Sequence, residues 1–210
     1  MKLFLSSSVN VVASQIANDI GKTGLQLAFI YTAAEVERNG KDADWCQADR
    51  AALVNAGFLV TDYTISDKQQ ADLIHDLSEF NVIFLSGGNT FYLLQQSQQS
   101  GFIPVIQNLI MNQQKIYIGS SAGSCIAGPD ISPIVNVDDR SKAPDIEASQ
   151  GYSFVNFCIL PHWGSEHFKE SYLNNRLDFT YTADQYPLLT LTDTQYVKVT
   201  NDGFSIRETK

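Results

Sequence analysis

Ser121 stands in Gly119-Ser120-Ser121-Ala122-Gly123, with a glycine two residues away on either side. A serine hydroxyl is a weak nucleophile that becomes reactive beside a base. The glycine spacing has a steric cause. A strand that turns directly into a helix strains its corner residue, and side chains at two-residue offsets would collide there. In that conformation the hydroxyl is lifted clear of the sheet, and the next helix points its first amides at the same spot. The pentapeptide also fits a tight turn of small residues that binds an anion.

A serine nucleophile needs a base, and the chain has three histidines. His75 falls within a predicted helix, on its surface or boundary. His162 follows Pro161 at the end of a predicted strand, on the sheet edge where the elbow would lie if both strands are parallel, and is the preferred base. His167, five residues on, belongs to the next predicted helix. The orienting acid could be Glu166, Glu170, Asp178, Asp184 or Asp193. Asp193 follows the apolar run Leu188–Leu191, which would hold it rigidly, yet it equally opens the turn Thr192-Asp193-Thr194. Gly87-Gly88, after another apolar run, can offer backbone N–H groups to an oxyanion, as can Ala122 beside the serine.

Other chemistries lack their patterns. There is no phosphate-loop or dinucleotide fingerprint, no H-E-x-x-H and no C-x-x-C, so neither a metal nor a cofactor is expected. Cys125 would lie inside the elbow helix as a core residue.

The elements that must position these groups are legible as alternating apolar runs and helical spacings. Strands are predicted at 2–5, 25–31, 58–64, 81–85, 115–120 and 154–160, with short ones at 188–191, 196–199 and 204–206. Helices fall between them: one on Val12, Ile16 and Ile20; one over 45–56 burying Ala51, Leu53 and Val54; and one capped by Ser66. Two more cover 91–99 and 102–113, and another 165–179. This alternation predicts an α/β protein whose mainly parallel sheet is covered on both faces. The stretch from Gly128 to about residue 150, with Pro129, Pro133 and Pro144, reads as a long excursion.

Composition sets the class. The 210 residues suit one domain over 1–210, and 44% hydrophobic with 18% charged content is that of a soluble globular protein. A net charge of −9 argues against nucleic acid, and no apolar run is long enough for a bilayer. Three widely spaced cysteines and the absence of a leader pattern give a cytoplasmic expectation. Oligomeric state is left open, with room for a homodimer.

Three stretches together resemble one family. Ser86-Gly-Gly-Asn-Thr-Phe-Tyr-Leu-Leu94, Gly119-Ser-Ser-Ala-Gly123 and Leu160-Pro-His162 are similar, in order and spacing, to peptidase E, the aspartyl dipeptidases, and their cyanophycinase relatives. The resemblance implies a flavodoxin-like three-layer sandwich akin to class I glutamine amidotransferases. It implies Ser121 as nucleophile, His162 as base, Gly88 and Ala122 as oxyanion hole, and a small peptide substrate. The family's acid is usually a glutamate on a late strand; here Leu191-Thr-Asp193-Thr matches, with aspartate in its place. Asn89 and Arg176 would bind substrate, Arg176 pairing with an N-terminal aspartate side chain. Ser120 stands where the family has a bulky residue. A silent, ligand-binding relative and a hydrolase of β-aspartyl or other amides are the alternatives.

Overall fold

Alternate residues of the central strands enter two separate cores, because successive side chains on a strand point to opposite faces. The strands are β1 (Lys2–Ser6), β2 (Gln26–Ile30), β3 (Leu59–Tyr63), β4 (Val82–Leu85) and β5 (Ile116–Ser120). Leu3, Leu5, Ala28, Ile30, Ile83, Leu85 and Tyr117 pack into one core, while Phe4, Leu27, Phe29, Phe84 and Ile118 pack into the other. Burial of each large apolar side chain contributes about 1.5–3 kcal/mol. The structure, a computed structural model, describes residues 1–135, 137–173 and 186–209.

The first core is covered by α3 (Gln70–Leu77), α4 (Thr90–Gln99) and α5 (Phe102–Gln107) through Leu73, Leu77, Phe91, Leu94, Phe102 and Ile106. The second is covered by α1 (Val9–Ile20) and α2 (Asp44–Asn55) through Val9, Val12, Ile16, Ile20 and Leu53. The result is the three-layer α/β sandwich expected from the sequence. Its seven-stranded sheet runs β3-β2-β4-β5-β1-β8-β9, where β8 is Gln195–Thr200 and β9 is Gly203–Glu208. The first five strands in that order are parallel, and β8 and β9 close one edge antiparallel.

Several local expectations are corrected. Ser66 does not cap α3: Gln69 and Asp72 form a reciprocal capping box there, and the Ser66 hydroxyl donates to Glu35. On α2, Ala51 and Val54 are exposed, whereas Cys46, Asp49 and Leu53 are buried. Of the strand expected over 154–160, only β6 (Cys158–Leu160) forms, and it lies outside the main sheet. It pairs in parallel with β7 (Leu188–Thr190). The helix expected over 165–179 is represented by turns at 166–168 and α7 (Lys169–Leu173), its remainder lying outside the described residues.

Candidate active site

The sheet register delivers the site. Ser6 of β1 is level with Ser120 of β5, and Leu85 of β4 is level with Gly119, so three parallel strands end together. Ser7, Gly87-Gly88 and Ser121 therefore emerge side by side at the carboxyl edge, where open α/β sheets bind ligands.

Ser121 sits between β5 and the short helix α6 (Ala122–Cys125), at φ 49° and ψ −109°. A positive φ is strained for a side-chain-bearing residue, and the strain aims the hydroxyl away from the sheet. Gly123 makes the corner sterically feasible, since a Cβ there would lie 2.1 Å from the Leu85 carbonyl oxygen. The Ser121 backbone N–H donates to the Ser6 carbonyl, tying the corner to β1.

A linear hydrogen-bonded series starts from that hydroxyl. Ser121 Oγ is 3.0 Å from His162 Nε2, and His162 Nδ1 is 2.7 Å from Asp193 Oδ1. His162 comes from the loop after β6, and Asp193 from the turn between β7 and β8. The small β6–β7 sheet, not the main one, therefore aligns the pair. The hydrogen bond from the imidazole, aided by the Ser7 hydroxyl, holds the Asp193 carboxyl below its usual range against the opposing effect of burial. His162 itself adopts a positive φ of 59°.

The contacts of three residues, Ser7, Phe168 and Ser120, escape the sequence reading. Ser7 Oγ accepts the His162 backbone N–H at 2.7 Å and donates to Asp193 Oδ1 at 2.8 Å. The Phe168 ring stacks on the His162 ring at 4.5 Å and 10°, fixing its plane. Ser120 accepts from Val9 N–H and donates to the buried Asp49 carboxyl. The available signal was the polar run Ser6-Ser7-Ser8 at the end of a strand that neighbours the elbow strand.

The glycine loop lies against the serine, since a Cβ on Gly87 would be 3.3 Å from that of Ser121. Gly88, at φ +125°, approaches Ala33 so closely that a Cβ would lie 2.2 Å from its carbonyl oxygen. Among the described residues, no acceptor takes up the backbone N–H of Gly88 or Ala122. Asn89 is buried and occupied. Its Oδ1 accepts from Tyr92 N–H as the cap of α4, and its Nδ2 donates to the Asp139 carbonyl. It thus holds the Asp139 loop instead of lining the cavity. Arg176 lies outside the described residues.

Ser121 and His162 open into a cavity of about 580 Å³. Its wall includes Glu37, Asp138, Asp139, Lys142 and His167. His167 is thus near the site, its ring edge-on to Phe168 at 4.7 Å, while Ser121 pairs with His162. Cys125 is buried, as expected, and its thiol donates to the Ile159 carbonyl.

A serine at the carboxyl edge of a parallel sheet, met there by a histidine and an aspartate from a smaller second sheet, defines a class, and sequence comparison gives its family. The profile of Peptidase family S51 matches residues 3–207, and the chain belongs to that family. It is a serine-type peptidase. An uncharacterized peptidase of Listeria innocua is 30% identical over 89% of this chain and 88% of its own. A Drosophila melanogaster protein named "Probable alpha-aspartyl dipeptidase" is 33% identical over 71% of this chain and 61% of its own. Among solved structures, a Listeria monocytogenes protein described as a candidate peptidase E superposes with a TM-score of 0.89. It shares 27% identity and covers 100% of this chain and 98% of its own.

Proposed function

We propose that the protein hydrolyses small peptides, dipeptides with an N-terminal aspartate among them, through an acyl-enzyme on Ser121. The observation that carries this reading is the series from Ser121 Oγ through His162 to Asp193, with spacings of 3.0 and 2.7 Å. Ser121 Oγ attacks the scissile carbonyl while its proton passes to His162 Nε2. The oxyanion is met by the N–H groups of Gly88 and Ala122. The imidazolium gives its proton to the leaving amine, and water, activated by the same nitrogen, then cleaves the ester. Asp193 holds the Nδ1–H tautomer throughout.

The substrate reading draws on the family, and on the Drosophila relative's name in particular. The Glu37, Asp138 and Asp139 carboxylates on the wall suit a free amino terminus, and Lys142 suits a carboxylate. The chain would act as one S51 unit over 1–210 in the cytoplasm. Among the described residues, no helix is long and apolar enough to cross a membrane.

The test is a panel of dipeptides with α-aspartyl, β-aspartyl, neutral and basic first residues, given to wild type and Ser121→Ala. Release of the free amino acid from the α-aspartyl members, lost in the variant, is the expected result. Turnover by Ser121→Ala would exclude the mechanism. Cleavage of only other classes would leave the mechanism and replace the substrate.

A further inference from the structure

Asp49 is a carboxyl on α2 with 4% of its surface exposed, and among the described residues no lysine or arginine pairs with it. Such a group is expensive to keep charged, and it survives in folded proteins where its hydrogen bonds matter. Its partners here both belong to the site's framework. Oδ1 accepts the Asn10 N–H from the first turn of α1 at 3.2 Å, and Oδ2 accepts the Ser120 hydroxyl at 3.2 Å. Ser120 Oγ in turn accepts the Val9 N–H at 3.1 Å. Ser8, at the N-cap position, does not perform this task, because its hydroxyl donates to Asn10 Oδ1. The start of α1 is therefore capped from outside, by α2 and by the residue preceding the nucleophile. The residue before Ser8 is Ser7, which receives the His162 N–H and binds Asp193.

We propose that Asp49 is a positioning residue of the peptidase reaction: its carboxylate latches the start of α1 to the end of β5, and so holds Ser7 and the His162–Asp193 pair in register with Ser121. The proposal rests on the mechanism given above. A neutral amide could supply one acceptor at this place; two donors converging on two carboxylate oxygens call for the ionised form. The groups facing Asp49 are the Ser120 hydroxyl from β5, the Asn10 amide of α1, the His162 imidazole and the Cys46 thiol of its own helix. Burial pushes the Asp49 carboxyl up to about 7, with the Asn10 and Ser120 hydrogen bonds and His162 acting to lower it. The latch therefore sets as pH rises through neutrality.

The readout is the rate at which an alkyl fluorophosphonate phosphonylates Ser121, followed by intact mass from about pH 5 to 9, which needs no knowledge of the natural substrate. In the wild type, protonation of Asp49 should add to the loss of labelling on the acid side, so the logarithm of the rate should fall there more steeply, by about one in slope, than in Asp49→Asn. Asp49→Asn should label about tenfold more slowly at alkaline pH and show the shallower acid-side slope. Ser120→Ala, which keeps the carboxylate, should slow labelling less and retain the steeper slope. A merely structural role would lower the rate without changing the slope, and that result would overturn the proposal, as would wild-type labelling by Asp49→Asn. Should Asp49→Asn not fold, Ser120→Ala, which removes one of the two latch hydrogen bonds, carries the test, and wild-type labelling by that variant overturns the proposal. Ser121→Ala separates the two readings. Labelling that persists in it, or a wild type that does not label, defeats the parent mechanism and this proposal together; labelling lost in it but unaffected by Asp49→Asn defeats this proposal alone.

Discussion

The hydroxyl of Ser7 receives the backbone N–H of His162 at 2.7 Å across 155 positions of sequence. It is the point at which the main sheet grips a loop delivered by the smaller β6–β7 sheet. Because the same hydroxyl donates to Asp193, it sets the backbone of His162 and the carboxylate on its imidazole at once. Ser7→Ala should lower kcat by about tenfold, the loss of a hydrogen bond to a charged group, and leave KM within about twofold. Steady-state kinetics on a cleaved dipeptide check this. An unchanged kcat would mean that β7 and Phe168 suffice to hold the pair.

In the proposed mechanism Asp193 acts as an anion. The hydrogen bond from His162, with that from Ser7, keeps its carboxyl below the ordinary range, so it stays ionised across neutral pH and its contribution is lost only as pH falls through the lowered value. Asp193→Asn should preserve the shape and favour the wrong imidazole tautomer, lowering kcat by roughly 10²–10⁴. A variant with wild-type rates would remove Asp193 from the mechanism.

Gly88 is fixed by space as well as by φ. A methyl group there meets the Ala33 carbonyl at 2.2 Å, so Gly88→Ala must displace the loop whose N–H the proposed mechanism assigns to the oxyanion. Thermal unfolding should fall by several degrees and kcat by at least about tenfold. A loss of stability with full activity would take the Gly88 amide out of the reaction.

Asp49 should leave a mark on stability opposite to its mark on activity. Its folded value is raised to about 7 from 3.8, so the protonated form is bound preferentially by the native state. That contribution is complete below the unfolded value and disappears as pH rises through about 7, an effect on the order of a few kcal/mol. The wild type should therefore lose stability between about pH 4 and 7 relative to Asp49→Asn, measured by denaturant unfolding at each pH. Parallel curves for the two proteins would show that Asp49 is not held protonated by burial.

Much of this site was legible because it rests on chain-local signals. Near-continuous apolar runs marked β1, β2, β4 and β5, and glycine spacing marked Ser121. Once the strands are known to be parallel, ends such as Ser6 and Ser120 must lie on the same edge of the sheet; the strand order makes them neighbours. What was not legible depends on partners distant in sequence. Helical spacing on α2 favours burying Ala51 and Val54; it cannot reveal that the Asp49 carboxyl finds Ser120 and the start of α1 on the inner face. Ser66 is a good cap by residue type, but Glu35 takes its hydroxyl. The run 154–160 is apolar enough for a strand of the main sheet, yet its first half packs as irregular chain through Phe154 and Phe157, and only Cys158–Leu160 extends, against β7. Asn89, given to substrate by the family resemblance, has its side-chain oxygen taken by the first turn of α4, a need that residue type alone does not reveal.

The central claim is a covalent intermediate on Ser121, and the most direct measurement is the intact mass of the protein quenched in acid while it turns over an activated aminoacyl ester. The account predicts a mass gain equal to the acyl group, mapped to the peptide containing Ser121 and absent from Ser121→Ala. Turnover with no adduct on Ser121, and undiminished in Ser121→Ala, would contradict it.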